Sequence, residues 1–321
     1  MDRRRFLLTS LAGALIMPLG AEGKPGRVYR IGVTVATDIY YMAFQQGLRD
    51  AGWVPGQNLT IERRSVRGER DRVANMVSEI VALKVDVILA TGPWVIRTFQ
   101  KATSTIPIVG LDLESDPVAS GSVASLARPG GNLTGVFLDL PELSGKQLQL
   151  LKETIPDLQR VGVLWEPDVG EPQLRATEEA ARVASVTLNT LGIRRADEIM
   201  PALDRAARGR AQAMLVLTST LMANNLRQIA QLAQQYRMPT ISPFTLFPSA
   251  GALMAYGPSQ PGMFRLAATY VDKIFRGAPV GQLPVERPSK FDLVINLKTA
   301  KALGLTIPPS LLARADQVID P

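Results

Sequence analysis

Thr105-Ile106-Pro107-Ile108-Val109-Gly110-Leu111-Asp112-Leu113-Glu114-Ser115-Asp116-Pro117 carries the change from apolar to acidic that decides the fold. The run from Ile106 to Leu111, broken only by Pro107 and Gly110, has the length and the flanking turn signals of a buried strand. Glu114, Ser115 and Asp116 lie just past its C-terminal end, where open α/β sheets place their ligand sites. Further on, Arg128-Pro129-Gly130-Gly131-Asn132-Leu133-Thr134-Gly135 turns the chain sharply, because proline fixes its own φ and glycine accepts positive φ. The stretch up to Val136 reads as the passage from one α/β lobe into a second, with a cleft alongside.

Before this stretch, Val28 to Val35, Leu59 to Val66 and Val85 to Ala90 read as strands, and helical periodicity follows each. The largely apolar Val85 to Ala90 suits a parallel strand buried on both faces. After it the alternation starts again. Strands are expected at Arg160 to Trp165, Val186 to Ile193, Ala213 to Leu217, Met238 to Ile241 and Leu253 to Tyr256. Helices are expected at Leu143 to Thr154, Glu171 to Ser185, Asp197 to Arg208 with Asp197 as N-cap, and Leu221 to Tyr236. Two rounds of this pattern predict an α/β protein of two doubly wound, Rossmann-like lobes.

Composition narrows the function. A chain of 321 residues with 46% hydrophobic content suits two packed domains. No run of eighteen apolar residues offers a membrane span. Arg3-Arg4-Arg5, the apolar run Phe6 to Leu19 and the small residues Gly20 and Ala21 read as an export signal over residues 1–21, of twin-arginine or ordinary secretory type. The net charge is +7, and the basic cluster at Arg63, Arg64, Arg67, Arg70 and Arg72 is interrupted by Glu62, Glu69 and Asp71. No aromatic residue interleaves to stack on bases, so nucleic acid is not an expected partner. The chain has neither cysteine nor histidine. That removes disulfides and thiol nucleophiles, the commonest general base, and the usual zinc ligands. No phosphate loop follows a strand, and the reading is of a non-enzyme with no cofactor and no metal.

Polar groups at strand ends form the candidate site. Thr37, Asp38, Thr91, Gly92 and Asp116 come from the first lobe; Glu166, Asp168, Thr218, Ser219, Ser242 and Tyr256 come from the second. Carboxylates can hold an ammonium, and hydroxyls and amides can hold a carboxylate, so a small polar or zwitterionic ligand fits. Tyr40, Tyr41, Trp94 and Trp165 are available as apolar walls. Each has a structural reading beside the functional one: Asp116 as a turn cap, Thr91 as a helix cap, Tyr40 and Trp165 as core, Tyr256 as hinge packing.

Five motifs in order carry a family resemblance. They are Asp116-Pro117-Val118, Arg128 to Gly135, Leu253-Met254-Ala255-Tyr256-Gly257-Pro258, Tyr270-Val271-Asp272-Lys273-Ile274, and Val294-Ile295-Asn296-Leu297-Lys298-Thr299-Ala300-Lys301-Ala302-Leu303-Gly304-Leu305-Thr306-Ile307-Pro308. Together they resemble the ABC-transporter substrate-binding proteins of the tryptophan-binding-protein-like (TrpX-like) group. The resemblance implies a type I periplasmic-binding-protein fold, two lobes joined by a hinge of crossing segments that close on a ligand. It places residues 25–136 and 257–285 in the first lobe, and 137–256 and 286–321 in the second. The export signal and the absence of a cysteine for lipid attachment point to a soluble, unanchored monomer in the periplasm, and the resemblance implies that it hands a small molecule, possibly an amino acid, to an ABC permease in the inner membrane. A sensor presenting its closed form to a receptor kinase is the alternative. The resemblance supports Asp116 and Tyr256 as cleft residues. The chain departs from the group's pattern at Glu166, Thr218 and Ser242, where asparagine, a nearby aspartate and a nearby tyrosine are usual.

Overall fold

A computed structural model describes residues 26–66, 70–138 and 142–320. The export signal, and Arg67 and Glu69 of the basic cluster, lie outside the described residues. The first half runs β1 (Tyr29–Val33), α1 (Asp38–Asp50), β2 (Leu59–Arg63), α2 (Val73–Ala82), β3 (Val87–Thr91), α3 (Pro93–Ala102), β4 (Ile108–Asp112) and β5 (Leu133–Phe137). Then come α4 (Glu142–Thr154), β6 (Arg160–Trp165), α5 (Glu171–Ala184), β7 (Thr187–Gly192), α6 (Ile199–Arg208), β8 (Ala213–Val216), α7 (Thr220–Asn224), α8 (Leu226–Gln235) and β9 (Thr240–Ser242). The chain ends with β10 (Met254–Pro258), α9 (Gln260–Phe275), β11 (Phe291–Asn296), α10 (Leu297–Leu303), α11 (Pro309–Leu312) and β12 (Gln317–Ile319).

The strands form two sheets, ordered β2-β1-β3-β4-β5 and β12-β11-β10-β9-β8-β6-β7. The first is parallel throughout, and β3 and β4 are apolar because helices cover both faces. In the second, β6 to β10 are parallel, while β11 runs antiparallel to β10. Each sheet reverses its winding once, between β1 and β3 in the first and between β6 and β8 in the second. Such switch points open a crevice at the strand C-termini.

β5 is a strand the sequence reading did not expect. The turn at Pro129 to Asn132 does not leave the first lobe; it returns the chain to the sheet edge. Gly110 and Gly135 pair in register there, and a Cβ on Gly135 would fall 2.0 Å from the Gly110 carbonyl oxygen at φ +138°. Only glycine lets the two backbones approach this closely. Two smaller expectations also change. The helix expected from Leu221 to Tyr236 is two helices, broken at Asn225. Asp197 is not an N-cap; it pairs with Arg195 at 3.1 Å, and Arg195 precedes the short helical turn.

Three segments cross between the sheets. The first follows β5. The second falls at Ser259, since Gly257 and Pro258 still pair with Asp292 and Phe291 of β11. Ser259 then caps α9 by accepting from the Gly262 amide, and α9 packs on α1 of the first lobe. Tyr40 stacks on Phe264 at 5.1 Å, and the Trp53 indole donates to Asp272 at 2.9 Å. The third crossing follows Glu286, whose amide donates to the Gly135 carbonyl and whose carbonyl accepts from the Phe137 amide.

Candidate functional site

The two switch points face each other. Thr34 follows β1 and Thr91 ends β3, and the Thr91 amide donates to the Thr34 hydroxyl at 3.1 Å. Across from them stand Glu166 after β6, and Thr218 and Ser219 after β8. The lobes touch directly. The Thr218 hydroxyl reaches the Leu113 carbonyl at 3.1 Å, and Gly92 lies so close to Thr220 that a Cβ would fall 2.6 Å from its hydroxyl. Gln260, the second residue of the α9 crossing, clasps the loop after β9: its amide donates to the Pro243 carbonyl, and its oxygen accepts from the Thr245 amide and hydroxyl. The cleft is closed.

Between the lobes lies a cavity of about 100 Å³. The walls are apolar: Tyr40, Met76, Val95 and Phe264 on the first-lobe side, Phe244 on the other. An adjoining space of about 50 Å³ between Val66, Trp94, Val95, Glu166 and Leu221 shares Gly92, Glu114 and Thr220 with it. Three buried polar atoms of the main cavity's lining have no hydrogen-bond partner among the described residues: Tyr40 Oη, Glu114 Oε2 and Asn224 Nδ2. Buried polar groups are normally paired, so these three are poised for a ligand. Burial, Asp112 and Glu166 hold the Glu114 pKa well above the ordinary glutamate range. Burial likewise pushes the Tyr40 phenol up.

Of the residues singled out from sequence, Thr37, Thr91, Gly92 and Ser219 line the cavity. Gly92 is the N-cap of α3 at φ +83°, and Ser219 caps α7 by accepting from the Met222 amide. Glu166 is buried beside the adjoining space, and Thr218 is buried at the lobe contact. Asp38 sits at the cleft mouth, paired with Arg63 at 2.8 Å. Asp168 pairs with Arg194 at that mouth. Ser242 is buried and accepts from the Phe244 amide. Asp116 caps its own turn, accepting from the Val118 and Ala119 amides at 2.7 and 3.1 Å. Tyr256 packs on Phe291 of β11, with ring centroids 6.1 Å apart, and its carbonyl accepts from Gln147. Neither Asp116 nor Tyr256 lines the cavity. Tyr41 lies under the Arg63 guanidinium, and Trp165 packs at the edge of the second-lobe core.

Glu114, Asn224, Phe244, Gln260 and Phe264 were not read from sequence as site residues. For Glu114 the signal was present: β4 ends at Asp112, one residue beyond the apolar run, so Glu114 follows the strand end by two residues and Asp116 by four. Among the described residues no group of acidic side chains is arranged to hold a metal ion, and no helix is long and apolar enough to cross a membrane.

Two doubly wound lobes closed over a central cavity define a binding protein of the type I periplasmic fold. The chain belongs to the family of ABC transporter substrate binding proteins, whose sequence profile matches residues 33–319. It is similar to a tyrosine-binding protein of Clostridioides difficile, 26% identical over 266 residues, covering 82% of this chain and 75% of that one. The structure of an ABC domain in complex with L-Trp from Streptococcus pneumoniae has a TM-score of 0.82 at 25% identity, covering 91% of this chain and all of that one. The ligand-free, open structure of a substrate binding protein from Clostridium difficile scores 0.63 at the same 25% identity, covering 92% of this chain and all of that one. Equal identity with unequal fit agrees with the closed lobe arrangement seen here.

Proposed function

We propose that the chain is the periplasmic solute-binding component of an ABC importer, and that its ligand is an amino acid with an apolar, aromatic side chain. The single observation behind this is the closed apolar cavity holding one acidic oxygen and two neutral donors without partners, Glu114 Oε2, Tyr40 Oη and Asn224 Nδ2. An α-amino acid presents the complement: an ammonium, a carboxylate and an apolar body. The tyrosine-binding relative and the L-Trp complex support the same class.

Magnitudes show why the polar atoms matter. An aromatic side chain brings about 150–250 Å² of surface, which at about 25 cal/mol per Å² is worth roughly 4–6 kcal/mol before association costs. Micromolar affinity needs about 8 kcal/mol net, so charge-assisted hydrogen bonds must supply the remainder. The ligand then bridges the lobes and favours the closed state through its differential affinity. The protein acts as a monomer and passes its cargo to an inner-membrane permease.

The test is thermal unfolding of the purified chain against the twenty amino acids. A ligand at about a hundred times its dissociation constant adds roughly 2.7 kcal/mol and raises Tm by several degrees. L-tryptophan, L-tyrosine or L-phenylalanine is expected to give the largest shift. A flat response to all twenty would remove the amino-acid reading.

A further inference from the structure

Asp112, Glu114 and Glu166 are buried carboxyl groups that come together where the sheets face each other. Asp112 closes β4 as an acceptor. Its Oδ1 takes the Glu114 and Ser115 amides at 2.8 and 3.2 Å, and its Oδ2 takes the Ser115 hydroxyl. Through the Glu114 amide the two acids are held side by side, and no basic side chain among the described residues lines the spaces Glu114 borders. Asp112 accepts from three donors, as a carboxylate does. Burial and the neighbouring Asp112 charge therefore favour the protonated form of Glu114. The second Glu114 oxygen, Oε2, is buried without a partner among the described residues and lines the cavity.

Among the described residues, this carboxyl is the only acid on the main cavity's lining. α1 contributes Tyr40, whose hydroxyl is also buried and unpartnered; the end of β6 contributes Glu166; α4, α5 and α7 contribute the neutral Gln147, Gln173 and Asn224. Among the described residues no lysine or arginine lines the cavity or the two spaces Glu114 also borders. At the mouth, Arg63, Arg194 and Arg195 pair with Asp38, Asp168 and Asp197.

We propose that Glu114, through its buried and unpartnered Oε2 in the cavity lining, anchors the ammonium group of the ligand, and that this positive charge replaces a proton on Glu114 as the cleft closes. The proposal rests on the amino-acid reading above and adds that binding releases one proton. No ligand bond changes: the ammonium stays intact, Glu114 becomes a carboxylate, and its proton passes to solvent. A buried ammonium facing a neutral acid is an uncompensated charge, whereas facing a carboxylate it is paired. Burial and the two neighbouring acids, which favour the protonated form of Glu114 in the free protein, agree with this exchange. Affinity then rises with pH, by up to about tenfold per unit while Glu114 is protonated in the free protein.

The experiment titrates the full chain with L-tryptophan, L-tyrosine and indole-3-propionate by calorimetry, in phosphate and in Tris, across acidic to neutral pH. Infrared difference spectra of wild type against Glu114→Gln follow the protonated carboxyl band. The expected result is a band absent from Glu114→Gln and lost when L-tryptophan or L-tyrosine binds. The binding heats in the two buffers are expected to differ by release of about one proton. Indole-3-propionate, which lacks the amine, leaves the band in place. Glu166→Gln keeps the band and moves the pH dependence to lower pH, which guards against a folding defect in the first variant. A complex that forms without proton release, or a Glu114→Gln protein with the wild-type pH slope, overturns the exchange and leaves the amino-acid reading standing. No binding of either amino acid overturns both.

Discussion

The Thr218 hydroxyl stands 3.1 Å from the Leu113 carbonyl of the opposite lobe and 2.6 Å from Gln173 Oε1 of its own. A hydroxyl has one proton, so the two acceptors compete for it. With the lobes apart, Gln173 remains as its acceptor; on closure Leu113 becomes available. Thr218→Val removes this bond at nearly constant volume. A net cost of about 1 kcal/mol corresponds to roughly fivefold weaker ligand binding. Calorimetry on the variant checks it, and Tm without ligand should change less than the affinity does.

Gly92 sets how closely the lobes meet. Its φ of +83° and ψ of 150° lie where side chains are rare, and a Cβ would press on the Thr220 hydroxyl. Gly92→Ala is expected to lose about 1–3 kcal/mol of stability and to stay open in small-angle scattering even with ligand present. Adding Thr220→Ala relieves the clash but not the backbone strain, so closure returns while the low Tm persists.

Glu114 makes stability depend on pH. Its pKa is raised in the folded protein, first by burial and then by Asp112 and Glu166. The folded state therefore binds the proton more tightly than the unfolded chain. That stabilisation is fully present below the ordinary glutamate range and is lost as pH rises through the folded value. The Tm of wild type relative to Glu114→Gln should fall as pH rises from the ordinary glutamate range through the raised folded value. A difference that stays constant or grows over this range contradicts the placement of the proton.

The third crossing is tied down by Tyr270, whose hydroxyl lies 2.8 Å from Glu286 Oε1 and 2.6 Å from the Pro284 carbonyl and shares its one proton between these two acceptors. The ring is wholly buried, so Tyr270→Phe keeps the packing and deletes only the hydroxyl. Leaving these acceptors unpaired costs about 1–3 kcal/mol, a Tm loss of a few degrees. Protease cleavage between Glu286 and Phe291 should accelerate in the variant.

Much of the architecture was legible because parallel strands buried on both faces leave apolar runs bounded by turn residues. β5 escaped notice because Leu133 to Phe137 is short, carries Gly135 at its centre and follows a dense turn signal. Its identity as a strand depends on Gly110 in a partner that sequence spacing does not reveal. The site was legible at Thr37, Thr91, Gly92 and Ser219, which sit where strands end and helices begin. Glu114 and Asp116 look alike in sequence; only the register of β4 decides that one points into the cleft and the other closes a turn. Phe264 and Gln260 have no local signal at all, since their helix reads as ordinary core until its lobe is known.

That helix also sets an order of events. The Tyr29 hydroxyl donates to the Phe275 carbonyl across 246 residues, and Phe44, Leu48 and Trp53 share a core with Phe264, Tyr270 and Phe275. During synthesis, a segment equivalent to the whole second sheet up to β10 emerges before α9 can cover α1. The lobe that begins first therefore waits for α9 until most of the second lobe has emerged, and the second lobe is completed only by β11 and β12, which follow α9. A nascent or truncated chain stopping short of Gln260 carries an apolar α1 face with nothing to pack on it, a species open to chaperone capture and aggregation.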